Sequence, residues 1–329
     1  MKAYVTGGTG FIGSHLVEQL ADGGDHVTVL IRKTSNLRWL NHLAPKIQFV
    51  TADLHDIESL IPTLEDVDVV FHLAGLTKAP DTATYNHVNG EGTRNLIEAC
   101  LHVRPRLKRF IYCSSLAAIG PSPDQTPICE NTSPHPLTDY GKSKLKGEMI
   151  TRNYADRLPI TIVRPPAVYG PRDTDIFIYF QFIRRGLMPI IGDENRLLSF
   201  VHVKDLVAGM HAAALSDRAV GEAYFLTDGA VHSWIEFAQT VACAMEKRPI
   251  RFGIPFFVLD GVATCAEVVS RITRQTPTLN RQKMLELKQP FWICDSTKAE
   301  EQFGYRPVYS LEKGIKETAG WYLENRWLK

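Results

Sequence analysis

The sequence predicts an α/β protein: a doubly wound parallel sheet carrying a smaller, partly interleaved C-terminal lobe. Three observations support this. Short β-branched runs alternate with helical patterns through the first half of the chain. The runs are apolar without period-two alternation, as strands buried on both faces are. A glycine-rich turn stands where the first strand passes into the first helix.

Taken in order, AYVT (3–6) reads as a strand and SHLVEQLADGG (14–24) as a helix closed by glycines. HVTVLI (26–31), IQFVTAD (47–53) and VDVVFHLAG (67–75) read as strands. EGTRNLIEACL (91–101) is a helix, RFIYCSS (109–115) a strand, YGKSKLKGEMITRNYADR (140–157) a long helix and PITIVRP (159–165) a strand. Such alternation implies crossover connections and a parallel sheet. Beyond residue 165 the prolines cluster, at Pro165, Pro166, Pro171 and Pro189, and only short strands such as LSFVHV (198–203) and EAYFLT (222–227) appear. The expected organisation is a dinucleotide-binding part over 1–165 and a mainly substrate-binding lobe over 166–329, interleaved with the first.

Composition narrows the function. The chain has 329 residues, 44% hydrophobic and 22% charged, as a soluble globular protein does. A net charge of +1 offers no global field for nucleic acid. The six cysteines show neither CxxC pairs nor histidines at metal-ligand spacing. They are expected to be reduced thiols of a cytoplasmic protein, with no metal site. MKAYVTGG does not read as a signal peptide. The apolar stretch 254–269 is interrupted by Asp260 and Glu267 and falls short of the ~20 residues a span needs. It reads as a buried or substrate-covering helix without stable membrane insertion.

In YVTGGTGFIGSHLVEQL, Gly7 permits a tight turn, Gly10 lets backbone N–H groups approach a pyrophosphate, and Gly13 allows close helix–strand packing. Phe11 and Ile12 complete the turn, and the helix N-terminus adds oriented donors. This is a Rossmann-type arrangement. Its GxxGxxG spacing resembles the short-chain dehydrogenase/reductase superfamily, and TGGTGFIG resembles the extended, epimerase/dehydratase-type branch. The similarity continues through ADL (52–54), HLAG (72–75), VNGEGTRNL (88–96), CSS (113–115), Tyr140/Lys144, RPPAVYGPRD (164–173), SFVHVKDL (199–206) and FGYRPVYSLEKGI (303–315). The resemblance implies that Asp53 and Leu54 hold the adenine. It has the backbone of His72, Leu73, Ala74 and Gly75 pass along the dinucleotide with Asn89 in support, and Pro165-Pro166 and Tyr169 border the nicotinamide and substrate, with plain rigid-loop packing as the competing account. It also implies a homodimer.

The strand HVTVLI ends in Arg32-Lys33-Thr34-Ser35, with no carboxylate to hold the ribose hydroxyls of NAD. Two cations and two hydroxyls suit a 2′-phosphate, so NADP is preferred to NAD. Tyr140 and Lys144 stand four apart on a helix and project from one face. An adjacent ammonium and the positive nicotinamide would lower a phenol pKa from about 10, fitting it for proton transfer to or from a substrate oxygen. The resemblance places the catalytic serine on Ser115, with Ser114 as the one-residue-slip alternative. Thr77 or Lys78 could touch substrate or merely flank a loop. His202 reads as a strand histidine, Asp205 as a helix cap, and Trp321 and Trp327 as packing anchors.

Relatives that act on nucleotide sugars typically carry an arginine seven residues before the aspartate matching Asp205. That position is Leu198, with Arg196 two residues earlier as a possible substitute. The absence resembles the steroid dehydrogenase and dihydroflavonol reductase side of the branch. Three functions stay open at this point: an alcohol/carbonyl oxidoreductase on an apolar or polycyclic molecule, a nucleotide-sugar 4-epimerase or dehydratase with tightly bound NAD, and a dinucleotide-sensing protein without turnover.

Overall fold

The computed structural model describes residues 1–103, 107–273, 277 and 279–328. Its main sheet contains β1 (Lys2–Thr6), β2 (His26–Ile31), β3 (Ile47–Thr51), β4 (Val69–His72), β5 (Arg109–Cys113), β6 (Ile160–Arg164) and a seventh strand, Ala223–Phe225. Every pairing in it is parallel. From one edge the order runs β3, β2, β1, β4, β5, β6 and then Ala223–Phe225. The order reverses between β1 and β4, and such a switch point opens a crevice at the carboxyl ends of the strands.

The continuous apolar runs have the burial they imply: every residue of β4, β5 and β6 is buried. On one face of the sheet Leu16, Val17 and Leu20 of the first helix (Phe11–Asp22) pack with Val207, Met210 and Ala213 of the helix Val203–Leu215. On the other face Leu60, Leu96, Ile97 and Cys100 pack with Tyr4, Phe110 and Ile162. Each fully buried large side chain contributes roughly 1.5–3 kcal/mol of transfer free energy.

Residues after 165 serve both parts of the molecule. The helix Val203–Leu215 and the strand Ala223–Phe225 return to the main sheet. The remainder builds a second core of Tyr169, Phe180, Phe200, Phe237 and Tyr322, clasped by the helices Phe177–Arg184, Trp234–Ala244 and Leu311–Glu324. LSFVHV is not one strand. Leu197–Leu198 pairs with His232–Ser233 and Phe291–Trp292, while Phe200–His202 pairs with Ala167–Tyr169. Ser199 divides them, because its hydroxyl donates to Cys294 O (3.2 Å) and accepts from Cys294 N (3.0 Å).

Trp39, eight residues beyond the end of β2, lies against Trp321 and Trp327, with ring centroids 5.7 and 6.2 Å away. Arg38 and Arg172 sit over its ring at 4.4 and 5.2 Å. The C-terminal tryptophans are thus anchors, and what they anchor is the connection that follows β2.

Candidate active site

Three strand ends meet at the switch point. The first is the glycine turn after β1. Gly7 has φ +72°, and a Cβ on it would lie 2.7 Å from Ala74 N. A Cβ on Gly13 would stand 2.2 Å from Gly7 O. The turn is therefore drawn against the end of β4, and only glycine fits either position. Gly10 caps the first helix without a side chain, and no acidic residue occupies its first turn. The helix N-terminus thus presents backbone donors and a partial positive charge to a pyrophosphate. Phe11 and Ile12, at the head of that helix, are half-buried.

The second strand end is held by a chain of hydrogen bonds absent from the sequence reading, which gave His72 a backbone role only. Thr93 Oγ1 donates to Asn89 O (2.8 Å), so His72 Nε2, 2.9 Å from that hydroxyl, must donate to it. His72 Nδ1 then accepts from Thr6 Oγ1 (2.7 Å), which in turn accepts from Ala74 N (3.2 Å). Burial, with Lys144 as a second cause, pulls the His72 pKa down to about 3, so the imidazole stays neutral and the tautomer is fixed. Asn89 sits in a π-helical turn, Asn86–Glu91. Its amide donates to Leu76 O (3.0 Å) and Ser143 Oγ (2.8 Å), and its carbonyl accepts from Leu76 N (2.7 Å). One side chain thereby braces the loop after β4 against the helix Asp139–Arg152.

The third strand end brings Ser115, Tyr140 and Lys144 together. Thr138 caps their helix by accepting from Gly141 N (3.1 Å). The Ser115 hydroxyl stands beside the Tyr140 phenol and accepts from Ala117 N (3.2 Å). The Ser114 hydroxyl is buried without a hydrogen-bond partner among the described atoms. Leu116 N donates to Pro165 O (2.8 Å), which ties buried Pro165 to this loop. Lys144 is buried, donates to Cys113 O (2.6 Å) and lies 4.7 Å from the centre of the Tyr112 ring. Its Nζ is 3.7 Å from where a Gly75 Cβ would be, so the loop after β4 crosses directly over the ammonium.

Burial pulls the Lys144 pKa down. It pushes the Tyr140 phenol well above its usual value, with the neighbouring Ser115 hydroxyl working against the rise. The expected lowering is thus reversed in the protein itself. Desolvation outweighs the local partners and leaves a neutral phenol, the form that can donate a proton to a carbonyl.

The other expected residues divide by position. Arg32 and Lys33 are exposed, and the Arg32 backbone is pinned by reciprocal bonds with Ser35 (2.9 Å each). Asp53 is exposed, and Leu54 packs beside Gly92. Thr77 is exposed, and its carbonyl accepts from Tyr85 Oη (3.1 Å). Lys78 pairs with Asp175 at 2.7 Å. Tyr169 is fully buried in the second core, where a Cβ on Gly314 would lie 2.2 Å from its hydroxyl. It faces the helix Leu311–Glu324, away from solvent. Arg196 is buried, with its Nε lacking a hydrogen-bond partner among the described atoms. His202 is a strand histidine stacked on Tyr309, ring centroids 4.0 Å apart. Asp205 does not cap its own helix. Its carboxylate accepts from Val308 N (3.0 Å) and Tyr309 N (2.9 Å), fastening the C-terminal segment.

Sequence reasoning also missed the helix Arg281–Leu287. Its Gln282 accepts from Asp139 N (3.0 Å), and its Glu286 accepts from Thr138 Oγ1 (3.3 Å). On the helix Asp139–Arg152, Glu148 forms a buried two-bond fork with Arg164 at 2.9 and 2.7 Å.

A profile of the NAD dependent epimerase/dehydratase family matches residues 3–226, which include the glycine turn and all three strand ends. The chain belongs to that family. This epimerase/dehydratase-family protein is 32% identical to ceramide reductase of Caulobacter vibrioides, over 98% of this chain and 95% of the relative. It is 29% identical to 3beta-hydroxysteroid-dehydrogenase/decarboxylase isoform 2 of Arabidopsis thaliana over 95% of its own length, and the match spans 60% of that longer protein. Among solved structures it resembles UDP-glucose 4-epimerase of Thermotoga maritima, determined with UDP-glucose. The TM-score is 0.82 at 25% identity, covering 99% of this chain and 100% of the other. The family member is thus a NAD-dependent enzyme. Its glycine cradle, which a Cβ would fill at Gly7 or Gly13, fits a dinucleotide.

Proposed function

We propose that the protein is an alcohol/carbonyl oxidoreductase acting on an apolar or polycyclic small molecule, with Ser115, Tyr140 and Lys144 as its catalytic set. The observation that carries this reading is the Ser115 hydroxyl beside the Tyr140 phenol, with a buried lysine one turn along the same helix. A substrate oxygen entering between the two hydroxyls meets a donor on each side. The bound dinucleotide supplies or removes the hydride. Tyr140 Oη gives its proton to the carbonyl oxygen in reduction and recovers it in oxidation. Ser115 Oγ holds the same oxygen, and the Lys144 ammonium stabilises the phenolate left behind. Asn89 keeps the helix and the loop after β4 in register during these steps.

The names of the two relatives favour a lipophilic substrate. So does Leu198 in place of a diphosphate-gripping arginine. The preferred dinucleotide is NADP, because the turn after β2 offers exposed Arg32 and Lys33 and no carboxylate. Arg32→Glu is expected to lower the preference for NADP over NAD roughly tenfold, measured as the ratio of dissociation constants. The protein is proposed to act in the cytoplasm as a homodimer, its contact including the Tyr140 helix, where Met149 is 60% exposed. Sedimentation equilibrium tests the dimer.

The deciding experiment follows dinucleotide absorbance with 3-hydroxysteroids, ceramide-type ketones and UDP-sugars, and measures binding of each by thermal shift. Turnover of a lipophilic alcohol or ketone, without UDP-sugar binding, is expected. Strong UDP-sugar binding with no net change in dinucleotide redox state would overturn this reading in favour of epimerisation.

A further inference from the structure

The helix Phe256–Thr273 turns an uncharged face outward. Phe257 is 75% exposed, Val262 51% and Val258 42%. Gly261, Thr264 and Cys265 are exposed as well. Its other side, Leu259 and Ala263, packs on Met284 of the helix Arg281–Leu287. The flanking carboxylates are already paired, Asp260 with Lys288 (3.0 Å) and Glu267 with Arg281 (3.5 Å). The strand leading into this helix, Ile250–Ile254, exposes Ile250 and Phe252, and Leu187 stands in register with Ile250 on the neighbouring strand. Around the start of those strands, segments 184–187 and 246–250 carry Arg184, Arg185, Lys247 and Arg248 against one carboxylate, Glu246. Arg251 alternates to the other side of its strand from Ile250 and Phe252 and pairs with Glu194.

Single exposed apolar residues are ordinary, but a run of them on two consecutive elements beside a cation cluster is not. An apolar face bordered by arginine and lysine matches an anionic lipid surface. The side chains enter the boundary between headgroups and acyl chains while the cations meet the phosphates. A second copy is the poorer partner, because a two-fold contact through this face would bring like cation clusters towards each other. No helix among the described residues is long and apolar enough to cross a membrane, so the contact is peripheral. We propose that the Phe257–Val262 face and the adjacent basic cluster dock this protein on an anionic phospholipid bilayer. The proposal stands independently of the substrate reading. It does place the roof of the cleft at the lipid surface, because the Arg281–Leu287 helix joins the docking helix to Thr138 and Asp139, next to Tyr140.

The test is co-sedimentation of the full chain with vesicles of phosphatidylcholine alone and of phosphatidylcholine mixed with phosphatidylglycerol. Binding to the mixed vesicles, weakening as salt is raised, is expected. Phe257→Asp with Val262→Asp should lower that partitioning by roughly tenfold or more. Both positions are exposed, so the thermal melting curve should not move. Absence of binding to mixed vesicles at low salt would overturn the proposal, as would equal binding by the double variant. A wild-type assembly in sedimentation velocity that the double variant dissolves would assign the face to a second copy instead.

Discussion

Around Tyr140 the polar groups are locked to one another and to the backbone, whereas the helices Phe256–Thr273 and Arg281–Leu287 rest on a small apolar core and on side-chain bonds from Gln282, Thr138 and Trp292. His72, Thr6, Thr93, Asn89 and Ser143 form one connected set at the floor of the cleft. The roof, Phe256–Thr273 with Arg281–Leu287, shares the core of Leu259, Ala263 and Met284 and reaches the floor through Gln282 and Glu286. Proton transfer needs fixed donors, because a hydrogen bond weakens within a few tenths of an ångström. Admission of substrate needs an element that opens at little cost, and such elements come from the weakly packed end of a structure.

The sharpest way to break this contrast is at the floor. Tyr140→Phe should lower kcat by about 10²–10⁴ while leaving dinucleotide affinity within about twofold, read by stopped-flow and by titration calorimetry. Unchanged turnover would remove Tyr140 from the catalytic set and point to another chemistry. Next in size, Glu148→Leu leaves Arg164 charged and buried, and should cost about 3–5 kcal/mol in urea unfolding.

Acid should follow. Burial pulls His72 down to about 3 and His15 and His202 to about 4, so the unfolded chain takes these protons first. Stability is therefore expected to fall as pH drops from about 6.5 towards 4, by up to ~1.4 kcal/mol per pH unit for each histidine. Asp173, pushed up to about 7 by burial, opposes this, because the folded state gains its proton first between pH 7 and its ordinary carboxylate range. His232, raised by its bonds to Asp228 and Glu236 despite its burial, has the same sign as Asp173 but acts only above pH about 6.5. Urea midpoints measured across pH 4–8 read the balance. The smallest effect belongs to the roof. Gln282→Ala with Glu286→Gln should change stability by less than ~1 kcal/mol and shift KM more than kcat. A large stability loss there would erase the distinction between roof and floor.

Much of the floor was legible because its signals are local. Strands buried on both faces leave unbroken apolar runs, as in VDVVFHLAG, and a turn that presses on a neighbouring strand must use glycine. Tyr140 and Lys144 announce themselves by helical spacing. What escaped depends on residues far apart in the chain. His72 looks like any strand histidine until Thr6 and Thr93 are brought to either side of it. Asp205 sits where a cap would, yet its partners lie more than 100 residues later. Strand periodicity shows that Tyr169 alternates with its neighbours but not which face is the core, and Gly314, whose missing Cβ makes room for it, is remote in sequence. The stretch 254–269 reads as a buried or substrate-covering helix, and its exposed phenylalanine and the bonds of Gln282 and Glu286 required the fold.

The tryptophan cluster on Trp39 sets an order of events during synthesis. The turn that bears Arg32 and Lys33 is made early on the ribosome, yet the rings that wedge the adjoining segment arrive at positions 321 and 327. The corner that carries Arg32 and Lys33 is therefore completed only after residues 321 and 327 have been made, and a change at Trp321 or Trp327 would be felt there.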